Sequence, residues 1–144
     1  RPGVIRVVVG VLEDAAGNVL IAQRRPGTHM AGHWEFPGGK QRDGESPYRA
    51  LQRELREELD VEVAAAQPFL VLEHSYADRR VRLDTWRVTA WQGEPRGCEG
   101  QPLRWVAAGE LLRCGLLAAD APIVEALLAR SDARAGPGTV LSSS

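Results

Sequence analysis

Apolar and polar positions follow two periods along the chain, one typical of strands and one typical of helices. The runs 4-VIRVVVGVLED-14 and 19-VLIAQRR-25 are apolar and β-branched, and the turn-forming residues 15-AAGN-18 separate them. This pattern predicts a β-hairpin whose first strand is buried. The runs 68-PFLVLEHSYAD-78 and 81-VRLDTWRVTAW-91 predict a second hairpin in the same way.

A helical period lies between the two predicted hairpins. Ser46 is the predicted N-cap, Pro47 suits the first helical position, and Asp60 lies near the predicted end. At about 100° per residue, one face of this segment is apolar, which predicts packing against a sheet. That face consists of Tyr48, Leu51, Leu55 and Leu59. A second helix is predicted over roughly Pro122 to Ser131.

The remaining segments complete the predicted architecture. The stretch 26-PGTHMAGHWEFPGG-39 predicts a long Gly/Pro loop with a short extended piece at Trp34–Phe36, and 103-LRWVA-107 predicts one more strand. The order β-β-α-β-β-β-α with mixed strand runs predicts an α+β fold, an α/β/α sandwich. We expect one domain over residues 1–134 and a flexible Gly/Ser/Pro-rich tail over residues 135–144.

Composition and charge narrow the function classes. With 144 residues, 44% of them hydrophobic, the chain can bury the core of one domain. A net charge of −1 gives no basic field for a nucleic-acid polymer, and no apolar run reaches the roughly 20 residues of a membrane span. Cys98 and Cys114 lack metal-type spacing and are typical of reduced thiols. We expect a cytoplasmic protein, a monomer or a weak dimer, that binds neither nucleic-acid polymer nor membrane.

Three glutamates, Glu54, Glu57 and Glu58, fall within an arc of about 100° on the predicted helix. Like charges four residues apart destabilise a helix by roughly 0.2–0.5 kcal/mol per pair. A divalent cation bound between the carboxylates would offset this repulsion with its positive charge. Mg²⁺ suits such a site because it prefers oxygen ligands. The glycines of 37-PGGK-40 could bring a backbone carbonyl close to such an ion, and Arg53 could orient Glu57 one turn later. The alternative is a solvated acidic helix face.

The spacing of these residues resembles the Nudix box, GX5EX7REUXEEXGU. Its fixed positions are occupied by Gly39, Glu45, Arg53, Glu54, Leu55, Glu57 and Glu58. Asp60 stands where the family usually has glycine, and aspartate tolerates left-handed backbone geometry. The stretches 29-HMAGHWEFPGGK-40, 76-YADRRVRLDTW-86 and 93-GEPRGCEGQPLRWV-106 are similar to the bacterial MutT branch of the Nudix hydrolases.

The resemblance implies a fold and an activity. The fold is the Nudix-type α/β/α sandwich with a mixed sheet and a catalytic loop and helix. The activity is the Mg²⁺-dependent conversion of 8-oxo-dGTP and water to 8-oxo-dGMP and pyrophosphate, with Mn²⁺ as a possible substitute. It removes oxidised guanine from the nucleotide pool and so avoids mutation during DNA replication. In the family, water attacks the β-phosphorus, although the sequence alone does not distinguish β from α attack.

The resemblance also implies roles for single residues. The implied metal ligands are the Gly38 carbonyl, Glu54, Glu57, Glu58 and Glu99. Glu54 is in addition the candidate that orients or deprotonates the attacking water, and Arg53 is the orienting residue. Glu45 would support the box, either by holding neighbouring side chains or by contacting a metal.

The implied substrate contacts each have a plain structural alternative. Arg24 or Arg25 could bind phosphate through a bidentate guanidinium, or the pair could simply flank a surface strand. Phe36 matches a wall of the base pocket, or it is core. Arg79 matches a base-contacting arginine, or it lies in a surface turn.

Asp120 bears most directly on the choice of base. It is either the N-cap of the second helix or a reader of the base. A carboxylate can accept both donors of the guanine edge, N1–H and N2–H₂, but it can equally accept the N4–H₂ of cytosine. A CTP or modified dCTP pyrophosphohydrolase therefore stays open as an alternative. A non-catalytic module that recognises oxidised guanine is a further alternative, but such modules lack the box glutamates.

Overall fold

Over residues 3–130, which the computed structural model describes, seven strands form two sheets. The elements are β1 (Val4–Leu12), β2 (Asn18–Gln23), β3 (Trp34–Glu35), β4 (Gly38–Lys40), α1 (Pro47–Leu59), β5 (Glu62–Ser75), β6 (Arg80–Gln92) and β7 (Leu103–Ala107). Two 3₁₀ turns follow, at Ala108–Arg113 and Ala118–Asp120. A helix α2 then covers residues 121–130. The predicted tail over residues 135–144 lies outside the described residues.

One sheet is mixed and the other is antiparallel. The four-stranded sheet has the order β4-β1-β6-β5, in which β1 and β6 run parallel and the other neighbours run antiparallel. The three-stranded sheet has the order β3-β2-β7. Together with the helices, these sheets confirm the predicted α+β fold with a mixed sheet.

The first predicted hairpin is wrong, although both of its strands exist. β1 and β2 belong to different sheets and share only an isolated bridge between Glu13 and Val19. β1 is apolar on both faces, so it is buried as a central strand beside the parallel strand β6. Val8 and Leu12 pack towards α1, whereas Val9 packs into the core on the other face.

The other strand predictions have mixed outcomes. The second hairpin is confirmed, because β5 and β6 pair antiparallel up to Ser75 and Arg80. The strand at Leu103–Ala107 is also confirmed. The residues 38–40, predicted as loop, form the short strand β4 against β1. Glycine is depleted in strands, so its strand role here could not be read from propensity.

The predicted boundaries of α1 are confirmed. The Ser46 hydroxyl accepts the Arg49 backbone N–H at 3.2 Å, and Pro47 is the first helical residue. Asp60 ends the helix with φ 59° and ψ 40°, the left-handed geometry that the family's glycine would adopt. The leucines of the apolar face are fully buried: Leu51, Leu55 and Leu59.

Two cores hold these layers together. Leucines of α1 pack with Val8, Leu12 and Leu20 on one face of the mixed sheet. On the other face, Ile123 and Leu127 of α2 pack with residues from both sheets. Within residues 3–130, no helix is long and apolar enough to cross a membrane.

Candidate active site

The Gly38–Gly39 segment lies close to two neighbours, strand β1 at Gly38 and the Glu54 side chain of α1 at Gly39. A Cβ atom at Gly39 would lie 2.1 Å from Oε1 of Glu54. At Gly38 it would lie 2.0 Å from the backbone oxygen of Val8. Both distances are far below van der Waals contact. The backbone contact at Gly38 requires glycine for β4 to pair with β1, whereas a side chain at Gly39 would displace the Glu54 carboxylate.

Arg53 joins the glutamates at one end of the site. Its Nε and Nη2 donate to the two carboxylate oxygens of Glu45 at 2.7 and 2.9 Å. Nη1 donates to Glu54 at 2.9 Å and to Glu57 at 3.2 Å, and Nη2 also donates to the Lys40 carbonyl at 3.0 Å. These bonds use all five N–H donors of the guanidinium. The predicted contact from Arg53 to Glu57 is thus present.

Both carboxylate oxygens of Glu45 accept hydrogen bonds from the protein. Hydrogen bonds from Arg53, and then from the Arg42 backbone N–H, lower the pKa of Glu45 to about 2. The carboxylate is therefore ionised at neutral pH with both oxygens bound to protein donors. Of the two roles expected for Glu45, this geometry favours the supporting one over a metal contact.

Glu58 has the opposite environment. Its carboxylate accepts a hydrogen bond from the Gly38 backbone N–H at 3.1 Å. Burial raises the pKa of Glu58 to about 8, against that hydrogen bond, and the charges of Glu54, Glu35 and Glu99 raise it further. Burial also raises the pKa of Glu54, against the lowering effect of Arg53. This end of the site therefore carries an excess of carboxylates over cations.

The loop of residues 93–102, here called the Glu99 loop, reaches the same place. It binds the end of α1 through hydrogen bonds from the Cys98 backbone N–H to the Glu58 carbonyl and from the Arg96 N–H to the Leu59 carbonyl, both at 3.0 Å. A small cavity of about 140 Å³ lies between this loop and β2. Its walls include Arg24, Arg25, Glu35, Glu58, Glu99 and Gln101.

A larger cavity of about 430 Å³ adjoins this acidic region. Gly38, Gly39, Lys40 and Glu58 line one part of it, and Phe36, Tyr76, Arg79 and Asp120 line another. Glu58 and the Arg24–Glu35 pair border both cavities. The acidic end and the aromatic end are therefore parts of one continuous cleft.

Asp120 lies inside this cleft and is only 5% exposed. One of its oxygens accepts the Phe36 backbone N–H at 3.3 Å, and within the described residues its side chain makes no capping bond to α2. Burial raises the pKa of Asp120 to about 7, against the hydrogen bond from Phe36. The geometry thus favours a cavity role over an N-cap role.

This geometry matches that of known proteins. A family model described as a NUDIX domain matches residues 8–126. The chain belongs to the Nudix family. It is 36% identical over 123 residues to an 8-oxo-dGTP diphosphatase of Escherichia coli strain K12, with 85% of this chain and 95% of that protein covered. It is 38% identical over 130 residues to a CTP pyrophosphohydrolase of the same organism, with 90% and 96% covered.

Two solved structures have a comparable level of similarity. One is a MutT structure from a study of the Aliivibrio salmonicida and Vibrio cholerae proteins, with 33% identity, a TM-score of 0.77, and 88% of this chain and 98% of that chain covered. Another is the solution structure of the E. coli ORF135 protein, with 37% identity, a TM-score of 0.81, and 92% and 94% covered. The predicted resemblance to the Nudix family and its MutT branch is confirmed.

Nudix hydrolases generally use a divalent metal, and the donors of this site suit one. Within residues 3–130, no three acidic, histidine or cysteine side chains already converge as a metal-binding group. Glu57 instead contacts Arg53 at 3.2 Å and Arg42 at 3.8 Å, with a half-exposed side chain. However, the donors are all oxygens, and the partly buried Glu58 has the carboxylates of Glu54, Glu35 and Glu99 nearby. This chemistry fits a hard cation.

The structure distributes the predicted substrate residues between the two cavities. Arg25 donates to the Glu99 backbone carbonyl at 2.9 Å and lies at the smaller cavity. Phe36 lines the larger cavity and is also part of the core, so both expectations for it hold. Arg79 lies in the exposed turn between β5 and β6, and it also borders the larger cavity, with its guanidinium 5.6 Å from the centroid of the Tyr76 ring.

Two residues of the cleft were missed by sequence reasoning. Glu35 forms an ion pair with Arg24 at 3.1 Å, and burial raises the pKa of Glu35 against the effect of that arginine. A charged residue between Trp34 and Phe36 in a short extended segment was the available signal. Tyr76 packs edge-on to His29 and lines the larger cavity. Its place depends on contacts between distant segments, which no local pattern shows.

Proposed function

We propose that this Nudix protein is a Mg²⁺-dependent nucleoside triphosphate pyrophosphohydrolase that converts 8-oxo-dGTP and water to 8-oxo-dGMP and pyrophosphate. The observation that carries the proposal is the continuity of the cleft, since Glu58 and Asp120 line the same cavity. A nucleotide whose base lies beside Asp120 would extend its phosphates towards Glu58 and the Gly38–Gly39 segment. The likeness to the 8-oxo-dGTP diphosphatase of E. coli supports this substrate.

The base would be read by hydrogen bonds inside the larger cavity. One Asp120 oxygen is bonded to the Phe36 N–H, which leaves its second lone pair and the whole of the other oxygen for the base. An ionised carboxylate accepts the N1–H and N2–H₂ donors of guanine. Arg79 and Tyr76 would cover the purine from one side of the cavity. The aromatic ring of Phe36 provides an apolar wall.

The metal ion would bind at the acidic end of the cleft. The groups that would hold the ion are the Gly38 carbonyl, Glu54, Glu57, Glu58 and Glu99. A bound divalent ion would supply charge neutralisation on the phosphate oxygens. Mn²⁺ could replace Mg²⁺ with the same oxygen ligands. Arg24 and Arg25, which border the smaller cavity, would contact the phosphate chain.

The protein groups would then direct the attack of water. Glu54 has one oxygen bonded to Arg53, and its other oxygen lies over Gly39. That oxygen would accept a proton from water as the water oxygen bonds to the β-phosphorus. The bond from the β-phosphorus to the oxygen bridging it to the α-phosphorus would break, releasing the nucleoside monophosphate. Arg53 and Glu45 would hold Glu54 in this orientation.

A second substrate class has its own support. The chain is as similar to a CTP pyrophosphohydrolase as to an 8-oxo-dGTP diphosphatase, at 38% and 36% identity. Cytosine N4–H₂ would also donate to the Asp120 carboxylate. The alternative function is therefore the hydrolysis of CTP or a modified dCTP by the same metal-dependent chemistry.

Steady-state kinetics with Mg²⁺ would separate these functions. The substrates would be 8-oxo-dGTP, dGTP, CTP and 5-methyl-dCTP, with products identified by chromatography. A kcat/KM at least tens-fold higher for 8-oxo-dGTP than for the others supports the first function, and faster pyrimidine turnover supports the second. In ¹⁸O-labelled water, label in pyrophosphate means β attack and label in the monophosphate means α attack. Binding of 8-oxo-dGMP without any turnover would instead indicate the non-catalytic module.

The domain extent, the cellular location and the oligomeric state of the protein are part of the same proposal. We propose a single Nudix domain over residues 1–134, a cytoplasmic location, and a monomer or weak dimer that acts on free nucleotides. The net charge of −1 gives no general attraction for nucleic-acid polymers. Light scattering on the purified protein over a range of concentrations tests the oligomeric state.

A further inference from the structure

The end of helix α1 is joined to the Glu99 loop by more than backbone contacts. The last carbonyls of a helix have no partner inside the helix. Here the Leu59 carbonyl accepts the Arg96 N–H, and the Glu58 carbonyl accepts the Cys98 N–H. The Glu58 carbonyl also accepts a second bond, from the side-chain Nε2 of Gln101 at 3.1 Å. Gln101 is therefore part of the cap of α1.

The other end of the Gln101 amide binds the neighbouring acidic residue. Its Oε1 accepts the Glu99 backbone N–H at 2.9 Å. A carbonyl can only accept and an N–H can only donate, so the two partners fix which way the amide points. One neutral side chain thus connects the backbones of Glu58 and Glu99, which are 41 residues apart in sequence.

Other contacts leave the turn around Glu99 little freedom. The Glu99 carbonyl accepts a hydrogen bond from Arg25 at 2.9 Å. A Cβ atom at Gly97 would lie 2.1 Å from the backbone oxygen of Gln101, so the turn closes tightly at that point. Within the described residues, the Glu99 carboxylate itself makes no hydrogen bond or ion pair. The backbone of Glu99 is thus fixed at both N–H and C=O while its carboxylate stays available.

We propose that Gln101 is a positioning residue that holds Glu99 at a fixed distance from Glu58, so that both carboxylates can bind one cluster of divalent cations. The inference rests on the proposed function, because it concerns the metal-binding end of the same site. Gln101 touches neither the cation nor the nucleotide in this role. Residues that orient metal ligands typically change metal affinity by about 10- to 100-fold when replaced.

Binding of Mn²⁺ to the nucleotide-free protein, followed by calorimetry or electron paramagnetic resonance, tests the proposal without using activity. Gln101→Met keeps the length of the side chain and removes both hydrogen bonds. We expect it to weaken Mn²⁺ binding about tenfold. The matched control is Gln92→Met, at the exposed end of β6, which should leave Mn²⁺ affinity unchanged. Thermal unfolding would check that each variant is folded.

A double-mutant cycle separates positioning from general destabilisation. If Gln101 acts through Glu99, Gln101→Met should change Mn²⁺ affinity less than about twofold in a Glu99→Gln background. An equal loss in both backgrounds would overturn the proposal, and so would an unchanged affinity for Gln101→Met alone. If the unaltered protein binds no Mn²⁺, the proposed function itself fails, and this inference fails with it.

Amide hydrogen exchange in the metal-free protein provides a second readout. Gln101→Met should speed exchange of the Glu99 amide, because its acceptor is lost. Gln101→Glu keeps an acceptor oxygen for the Glu99 N–H, but it loses the donor to the Glu58 carbonyl and adds a charge beside it, so Glu99 protection should fall less than in Gln101→Met. Unchanged exchange at Glu99 in Gln101→Met would contradict the proposed geometry.

Discussion

Glu45 and Glu58 stand at the two ends of one acidic cluster and have opposite environments. Both oxygens of Glu45 accept bonds from Arg53, and the pKa of Glu45 falls to about 2. Glu58 is partly buried near other carboxylates, and loss of hydration raises its pKa to about 8. The first carboxylate has its cation within the protein, whereas the second forms no ion pair within residues 3–130. The comparison suggests that Arg53 organises the site and that Glu58 requires an external cation.

Replacing Arg53 should have the largest effect. Arg53→Lys offers three donors in place of five and cannot bind a carboxylate in a bidentate manner. Glu45, Glu54 and Glu57 would lose their common partner, and small misplacements of reacting groups cost on the order of 10²-fold in rate. We expect kcat to fall by about 10²–10³-fold. Arg49→Lys, on an exposed position of the same helix, is the control and should retain full activity.

Replacing Glu58 should separate activity from stability. Glu58→Gln removes a proposed metal ligand, so we expect kcat/KM to fall by about 10²-fold. The same substitution removes the cost of burying a charge, which should stabilise the metal-free protein. In EDTA at pH 8, the same variant should have a higher Tm than the unaltered protein. A lower Tm would contradict the claim that the Glu58 charge is uncompensated in the metal-free protein.

The pH dependence of stability should differ for the two glutamates. The folded-state pKa of Glu58 is raised from 4.5 to about 8, so metal-free stability should fall as pH rises from 4.5 to 8. The pKa of Glu45 is lowered from 4.5 to about 2, so its contribution is present above pH 4.5 and is lost as pH falls towards 2. Denaturant unfolding in EDTA measures the free energy of unfolding across both pH ranges. Mg²⁺ should reduce the loss of stability between pH 4.5 and 8, and Glu58→Gln should reduce it as well.

Replacing Asp120 should have the smallest effect, because Asp120 is proposed to contact the base of the nucleotide and not its phosphates. Asp120 resembles Glu58 in that burial raises its pKa, in this case to about 7. Asp120→Asn replaces a titrating acceptor with a fixed donor and acceptor pair. We expect the ratio of kcat/KM between 8-oxo-dGTP and CTP to change by about tenfold, within the range of about 1–3 kcal/mol for one bidentate contact to a base. The pH dependence of KM between pH 6 and 8 should also weaken, and an unaltered ratio and pH profile would remove Asp120 from base recognition.

Features encoded within a few residues could be predicted from the sequence. Ser46, Pro47 and the leucine stripe define α1 because capping and helical packing depend on neighbours three or four residues away. The contact from Arg53 to Glu57 follows from the same spacing. The Nudix box is local for the same reason, since one loop and one helix carry its residues.

Features that depend on distant partners could not be predicted. The partner of β1 is β6, some 75 residues later, so the turn at 15-AAGN-18 suggested a hairpin that does not exist. The position of Glu35 between Trp34 and Phe36 marked it as unusual but did not show that Arg24 is its partner. Gln101 has no local signal for its role, because its partner is set by the packing of separate loops. Sequence spacing identified which carboxylates lie together, but not which of them the protein neutralises by itself.

The account can be tested most directly by incubating the purified protein with 8-oxo-dGTP, with and without Mg²⁺, and identifying the products. We predict 8-oxo-dGMP and pyrophosphate in the presence of Mg²⁺ and negligible conversion in EDTA. Equal conversion in EDTA, or release of orthophosphate and a diphosphate, would contradict the assignment of Glu54, Glu58 and Glu99 to the metal site of a pyrophosphohydrolase.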